Sequence, residues 1–176
     1  YGGKLHGKKE FYATSGNLQL TRFYNHGDLI GYSYLDKNGA EVPMIKLTNE
    51  TGKINAFFDN GKPSVTMEFK NGDIVNNYKS YYYNGNIADD INYEVDVFNG
   101  VRKSYYENGK LKTEATYLYG SLNGIVKTYY ENGNKKAERL FLNNELHGIS
   151  NYYNKAGKLE KKKEYINGKI YKVENF

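Results

Sequence analysis

Apolar and polar residues alternate in short stretches along the chain, and each stretch ends at a turn signal. In the stretch after Gly109, Ala115, Tyr117 and Tyr119 stand two residues apart, which places them on one face of a strand. The stretches run about 5–8 residues, a normal strand length, and no segment keeps a helical period. The pattern predicts an all-β protein.

The turn signals recur at a fixed interval. Most are Asn-Gly pairs, the strongest short hairpin signal because both residues tolerate a positive φ. Five turn glycines are spaced 24 residues apart, and Gly16 and Gly39 extend the series upstream at steps of 23 and 22. The five are Gly61, Gly85, Gly109, Gly133 and Gly157. Eight residues after these glycines stands a bulky apolar residue: Tyr24, Leu47, Phe69, Tyr93, Tyr117, Phe141 or Tyr165.

Each unit also contains a second turn and an aromatic pair. The second turn is marked by Gly27, Gly72, Gly120 and Gly168, with Asp96 and Asn144 in equivalent places. The pairs that open the next unit are Phe57-Phe58, Tyr81-Tyr82, Tyr105-Tyr106, Tyr129-Tyr130 and Tyr152-Tyr153. We predict one repeat-array domain, residues 1–176, of about seven β-hairpin units. Because one hairpin is marginally stable alone, we expect the units to stack into an elongated, twisted antiparallel sheet.

Two regions depart from the pattern. Residues 40–56 form a degenerate unit, with Pro43 and a looser turn at Thr51-Gly52. At the start, Leu5-His6-Gly7 matches Leu146-His147-Gly148. The array is therefore expected to begin in mid-repeat, with further sequence before Tyr1.

Composition adds an expectation about the core. The chain has 20 Tyr, 8 Phe and no Trp, and its mean hydropathy is −0.82. Because Tyr buries a ring but keeps a hydroxyl that needs a partner, we expect a thin structure without a deep dry core. The absence of Cys excludes disulfides and thiolate metal sites, and no apolar run approaches the roughly 20 residues of a spanning helix.

Charge is distributed unevenly. The chain carries a net charge of +5, and residues 97–176 hold 15 Lys and Arg against 8 Asp and Glu. A solvated sheet face explains this excess, and a weak surface for an anionic partner is the alternative. Asp89, Asp90, Glu94 and Asp96 precede it as an acidic patch, but their spacing matches no calcium-binding loop. We predict no metal site.

The sequence offers no catalytic motif. His6 and His147 occupy the turn position that Asn99 and Asn123 hold elsewhere, so histidine replaces asparagine there. Glu114 and Glu138 recur five residues after the repeat glycine, which favours cross-strand pairing with lysine over acid–base chemistry. Phosphate-binding loops, nucleophile elbows and zinc-protease motifs do not occur. We predict a protein that is not an enzyme and has no cofactor.

Residues Tyr105–Gly124 and Tyr129–Gly148 resemble the bacterial variant of the MORN repeat. The resemblance implies antiparallel hairpins stacked in a sheet, without a cofactor or a catalytic constellation. It also implies contacts with proteins or acidic lipid headgroups. Relatives of this variant are often labelled as antitoxins, and others look like bacterial surface or secreted proteins. The compartment stays open between the cell surface, secretion and the cytoplasm.

We therefore expect an interaction scaffold that binds a protein partner through an aromatic-lined sheet surface. The expected contact residues are Tyr81, Tyr82, Tyr105, Tyr106, Tyr129 and Tyr130. The alternative is a peripheral binder of anionic lipid headgroups that uses the basic C-terminal half, with Lys161, Lys162 and Lys163. Nucleic acid is not favoured, because glutamate recurs in every unit. Open edge strands, such as residues 170–176, predict self-association.

Overall fold

The structure is a computed structural model that describes residues 4–176. Residues 1–3 of the predicted domain, including Tyr1, lie outside the described residues. The described chain forms seventeen strands and no helix, so the all-β prediction is confirmed. It divides into two compact units. The first contains residues up to Ala88 together with Tyr93–Asp96, and the second contains Asp89–Asn92 and Val97–Phe176.

The first unit contains two antiparallel groups of strands. The first group is ordered β1-β2-β3-β4, and in the second β6 pairs with both β5 and β7. The strands are β1 (Gly7–Tyr12), β2 (Leu18–Asn25), β3 (Asp28–Ser33), β4 (Ile45–Lys46), β5 (Gly52–Phe57), β6 (Pro63–Lys70) and β7 (Asp73–Tyr81). Strand β8 (Ile87–Glu94) is divided between the units.

The first unit has a compact apolar core, contrary to the expectation of a thin structure. Strand β2 packs against β5 and β6. Eight buried side chains form the core cluster: Leu20, Leu29, Tyr32, Ile54, Ala56, Val65, Met67 and Phe69. The Arg22 guanidinium lies 4.6 Å from the ring centre of Phe11 and 5.2 Å from that of Phe69, so aromatic faces offset the cost of its partial burial. The amino-acid composition gives no sign of this core, because only a few side chains form it.

The second unit is a run of hairpins. Its strands are β9 (Val97–Tyr105), β10 (Leu111–Leu118), β11 (Ser121–Leu122), β12 (Gly124–Tyr129), β13 (Lys135–Leu142), β14 (Glu145–Leu146), β15 (Gly148–Tyr153), β16 (Leu159–Ile166) and β17 (Lys169–Asn175). The pairing order is β9-β10-β12-β13-β15-β16-β17, and short β11 and β14 pair with β10 and β13. Each 24-residue unit thus contributes two neighbouring long strands. Few residues of this unit are buried, and three of them are small. The buried residues are Ile91, Ala115, Val126, Ala137, Ser150 and Tyr165.

The glycines of the 24-residue register close the first turn of each unit. At Tyr106–Lys110 the Tyr106 amide donates to the Lys110 carbonyl, and the Gly109 amide donates back to Tyr106, both over 2.8 Å. Gly109 has a φ of 82°, the left-handed conformation that a glycine bulge after a type I turn requires. The same pair of bonds recurs at Phe58–Lys62, Tyr82–Asn86 and Tyr130–Asn134. At these four turns the register glycine supplies the positive φ that the turn needs.

The second turns are tight hairpins with two consecutive positive φ values. Asn143 and Asn144 have φ angles of 48° and 70°, as a type I′ turn demands. Equivalent pairs are His26-Gly27, Asn49-Glu50, Asn71-Gly72, Val95-Asp96, Tyr119-Gly120 and Asn167-Gly168. This turn type matches the right-handed twist of the flanking strands. Asp96 and Asn144 are thus true equivalents of the turn glycines, as the spacing predicts.

The second turns hydrogen-bond one 24-residue repeat to the preceding repeat. The amide of the second turn residue donates to a carbonyl about 22 residues earlier, over 2.7–3.1 Å. The pairs are Gly27 with Leu5, Gly72 with Glu50, Asp96 with Ile74, Gly120 with Phe98, Asn144 with Leu122 and Gly168 with Leu146. Where the position is not glycine, its side chain accepts from the earlier unit: Leu29 N–H binds Glu50, Ile74 N–H binds Asp96 and Leu122 N–H binds Asn144.

Two expectations from the sequence about the second turns are wrong. The looser turn assigned to Thr51-Gly52 is formed by Asn49 and Glu50, and Gly52 instead begins strand β5. Neither Asn49 nor Glu50 is a glycine, but the Glu50 carboxylate accepts a hydrogen bond from the Leu29 amide. Tyr119 does not share a strand face with Ala115, because it occupies the first turn position with a φ of 45° and is 72% exposed.

Replacement of Asn144 tests the link between units. Asn144→Gly keeps the turn conformation and the backbone bond to the Leu122 carbonyl, but loses the side-chain oxygen that accepts from the Leu122 amide, which should lower the free energy of unfolding by about 1 kcal/mol. Asn144→Ala also places a Cβ without a compensating polar group at a positive φ, so it should cost about 2 kcal/mol. Urea unfolding of both variants checks this ordering. Equal losses in the two variants would mean that the side-chain bond and backbone strain are not the relevant terms.

Candidate functional site

The repeated aromatic residues of the second unit lie opposite glycines. Tyr117 pairs with Gly100, Phe141 with Gly124 and Tyr165 with Gly148. The three glycines have φ values of 91°, 124° and 61°, a left-handed region that favours glycine. A Cβ at Gly100 or Gly148 would lie within 4 Å of Asn92 or Leu140 and not of the ring opposite, so backbone conformation explains the glycine. The structural role of Tyr117, Phe141 and Tyr165 stays a prediction.

The six tyrosines expected to contact a partner are all half-buried. The second ring of a pair connects successive repeats: the Tyr106 hydroxyl donates to the Tyr129 carbonyl over 2.7 Å, and Tyr130 donates to Tyr153 over 2.8 Å. A lysine covers each of these rings, with Nζ 5.7 Å from the ring centre, Lys112 over Tyr106 and Lys136 over Tyr130. Tyr81, Tyr82 and Tyr105 are half-buried as well.

One side of the second unit's sheet, here called the ladder face, carries a cross-strand row of charges. The row is Lys103, Glu114, Lys127, Glu138, Asn151, Lys162 and Glu174. Glu114 lies 3.8 Å from Lys103 and 3.4 Å from Lys127, so its carboxylate is balanced on both sides. The cross-strand pairing expected of Glu114 is present, and Glu138 binds Lys135 at 2.7 Å. These pairs hold the carboxylates on this face.

The opposite side, here called the groove face, carries a row of mostly small or uncharged residues. The row is Ser104, Thr113, Thr128, Ala137, Tyr152, Lys161 and Asn175. From Ser104 to Ala137 the side chains are short, so a channel runs across β9, β10, β12 and β13. Tyr152 is the first bulky member, and it ends the channel at β15.

The channel opens into two adjoining clefts that share Thr113. The larger has a volume of about 300 Å³ and is lined by Tyr106, Lys112, Thr113, Thr128, Tyr129, Lys136, Ala137, Arg139 and Tyr152. The smaller, of about 210 Å³, is lined by Arg102, Ser104, Thr113, Ala115 and Tyr117. Neither lining includes a carboxylate among the described residues. We call this pair of clefts the groove.

Cations of the groove differ in how they are satisfied. Arg102 binds Asp89 at 3.0 Å, so its charge is compensated. Arg139 Nε is buried and has no hydrogen-bond partner among residues 4–176. The side chains of Lys112 and Lys136 are exposed, and neither forms an ion pair within the described chain. The larger cleft therefore carries three cations without a neighbouring anion.

The three predicted C-terminal lysines divide between the two faces. Lys161 stands opposite Tyr152 and Lys163 opposite Ser150, both on the groove face, whereas Lys162 belongs to the ladder face. Burial raises the pKa of Tyr152, and its 3.4 Å hydrogen bond with the Tyr165 hydroxyl raises it further. The nearby charges of Lys163 and Arg139 act in the opposite direction on this pKa. Tyr152 is thus surrounded by positive charge.

The alignment of Tyr152-Tyr153 with the other aromatic pairs is wrong at Tyr152. Ala137 pairs with Tyr152 on one side and with Thr128 on the other. Tyr152 therefore occupies the place of Thr128 one repeat later. Counting back from the turn glycine would have revealed this, since Tyr152 precedes Gly157 by five residues, as Thr128 precedes Gly133.

The acidic patch and the histidines have local partners. Asp89 binds Arg102, and Asp96 accepts the Ile74 amide. The His6 and His26 rings lie 5.1 Å apart, and His26 is the first residue of a second turn. Residues 4–176 contain no group of three or more His, Cys, Asp or Glu placed to hold a metal ion. They also contain no helix long and apolar enough to cross a membrane.

The spacing of turns, glycines and rings in the second unit agrees with a known repeat family. Three consecutive segments match the MORN repeat variant. They are residues 98–119, 122–143 and 146–167, and together they contain the Gly-Tyr and Gly-Phe pairs and the groove's β10, β12 and β13. No curated protein sequence matches the chain. MORN repeats are generally scaffolds for contacts with proteins or membranes.

The tyrosine bond between two of the matched repeats gives a second stability prediction. Tyr130→Phe removes the hydroxyl that donates to Tyr153 and leaves a carbonyl without this donor, so unfolding should become about 1 kcal/mol easier. Tyr119→Phe is the matched control, because Tyr119 is 72% exposed in a turn and the loss of its hydroxyl should change the free energy of unfolding little. Thermal or urea unfolding checks both. A Tyr130→Phe variant as stable as the control would contradict the structural role of the second ring.

Proposed function

We propose that the chain is a non-enzymatic MORN repeat scaffold that binds another protein along the groove face of its second unit. The groove supports this, because it places tyrosine rings beside three uncompensated cations in a lining without carboxylates. Tyrosine and arginine are typical of protein interfaces. The usual role of MORN repeats as scaffolds supports the non-enzymatic part.

Within this proposal the predicted contact residues take different parts. Tyr106 and Tyr129 line the groove and are the first candidates for direct contact. Tyr130 is covered by Lys136 and bonded to the next repeat, so its contribution is to hold the groove wall. Contact through Tyr81, Tyr82 and Tyr105 stays a prediction. An antitoxin-like or cell-surface role and a bacterial origin also stay predictions.

Filling the groove tests the proposal without loss of the fold. Thr128→Tyr copies the residue that the next repeat already accepts at Tyr152, so it should fold while it blocks the channel. Ile125→Tyr adds a ring to the same strand on the opposite face, where Ile125 is 47% exposed. Each purified protein is used to capture partners from the source cells, with identification by mass spectrometry.

One protein retained by the unmodified chain and by Ile125→Tyr, but reduced at least roughly tenfold by Thr128→Tyr, is the expected result. Equal recovery with all three baits would contradict a role for the groove. Recovery of no protein by the unmodified chain would contradict the scaffold function itself.

An alternative partner is an anionic lipid surface, and one observation favours it. Lys161 and Lys163 share the groove face with Arg139, which concentrates positive charge at one end of the second unit. Lys162 points to the other face and should contribute less. Self-association through strand β17, whose residues are mostly exposed, stays a prediction.

Vesicle binding distinguishes the lipid alternative. Lys161→Glu with Lys163→Glu should abolish salt-sensitive binding to phosphatidylserine vesicles, whereas Lys127→Glu with Lys162→Glu changes the net charge equally on the ladder face and should weaken it less. Equal effects of the two double variants would indicate a general charge effect. Vesicle binding that survives both would exclude this basic surface as the lipid site.

A further inference from the structure

We propose that the groove binds an extended acidic segment of a partner protein, with two carboxylates three residues apart. The proposal rests on the scaffold function proposed above and specifies the chemistry of the partner. Its basis is a pair of identical cation–ring sites in consecutive repeats. Lys112 lies over Tyr106 and Lys136 over Tyr130, and both lysines line the larger cleft.

The sites are equivalent in the repeat, since both lysines and both tyrosines are separated by 24 residues. One repeat adds two strands, so the two lysines are offset by about 9.5 Å across the sheet. One turn of a polyproline II helix contains three residues and spans about 9.3 Å, so its side chains at i and i+3 point in the same direction, whereas in a β-strand they point to opposite faces. A segment in the polyproline II conformation that runs across the strands therefore presents every third side chain to the same feature of the array.

The repeats on either side lack this cation–ring pair. At the next repeat Asn154 replaces the tyrosine and Glu160 replaces the lysine, while at the preceding repeat Ala88 stands in the lysine position. Two adjacent cation sites, and not a longer series, are thus available in this register. This limits the matching segment to two carboxylates.

The length of the groove agrees with a short segment. The channel crosses from β9 to β13, which is three strand spacings or about 14 Å. Four or five extended residues fill that length. Tyr152 closes the channel at β15, and Arg139, whose Nε is buried without a partner among the described residues, lies at that end. Because Lys112 and Lys136 bind the two carboxylates, we expect Arg139 to bind a backbone carbonyl at the end of the segment.

The placement of charges on the two faces favours an acidic over a basic segment in the groove. Glu114 and Glu138 belong to the ladder face, where lysines pair with them. An acidic segment on the groove face therefore meets cations without meeting these carboxylates. A basic segment would find no anion in the lining of the groove.

The test uses fluorescent peptides and the full chain. The first peptide is a short Gly/Ser sequence with two glutamates at positions i and i+3. The second has them at i and i+2, and in the third both are glutamine. Binding is followed by fluorescence anisotropy at low and moderate ionic strength, about 0.05 M and 0.3 M.

The i, i+3 peptide should bind most tightly, and its affinity should fall with salt. Lys112→Gln with Lys136→Gln should weaken it roughly tenfold, as expected for the loss of two partly exposed ion pairs. Lys103→Gln with Lys127→Gln is the matched control, because these residues have the same 24-residue separation and charge but lie on the ladder face. This control should bind like the unmodified chain.

Equal affinity for all three peptides, or equal weakening by both double variants, would overturn the proposal. Preference for phosphatidylserine vesicles with no peptide binding would overturn it in favour of a lipid surface. If peptide spacing has no effect while Thr128→Tyr still prevents capture of a protein, the scaffold function stands and the acidic segment does not.

Discussion

The backbone hydrogen bond from a second turn to the preceding 24-residue repeat, present at six of the seven second turns in residues 4–176, is the constraint on which the array depends. A type I′ turn directs the amide of its second residue towards a carbonyl about 22 residues earlier, as at Gly120 and Phe98. Both turn residues must have positive φ, which limits the residues that can stand there. The fixed bond also fixes the offset of successive hairpins. The glycine register and the aromatic positions follow from that offset.

Much of this architecture could be predicted from the sequence because turn chemistry is local. The 24-residue register needs only glycine at the bulge, and Asp96 and Asn144 fit because short polar side chains tolerate positive φ. Glu50 could not be predicted, since its place depends on a bond to Leu29 in another unit. The core of the first unit likewise depends on strands that are distant in sequence.

The candidate site was harder to predict from the sequence than the fold. Sequence period identified tyrosines such as Tyr106 but gave no means to assign the two faces, because bulges shift the alternation near each turn. The structure shows that Lys162 faces away from Lys161 and Lys163, which a lysine run conceals. It also shows that the carboxylates of Glu114 and Glu138 are neutralised on one side of the sheet. The groove face is distinctive because of that segregation.

The second-turn position alternates along the chain as Gly27, Glu50, Gly72, Asp96, Gly120, Asn144 and Gly168. The side chain of the second turn residue therefore accepts a hydrogen bond from the earlier repeat at every other hairpin. The inherited module is on this view a pair of hairpins, about 48 residues long. Recombination that adds or removes whole pairs would preserve the alternation, whereas gain or loss of a single hairpin would place two glycines or two polar residues in succession. Array lengths among natural variants should accordingly differ by even numbers of hairpins.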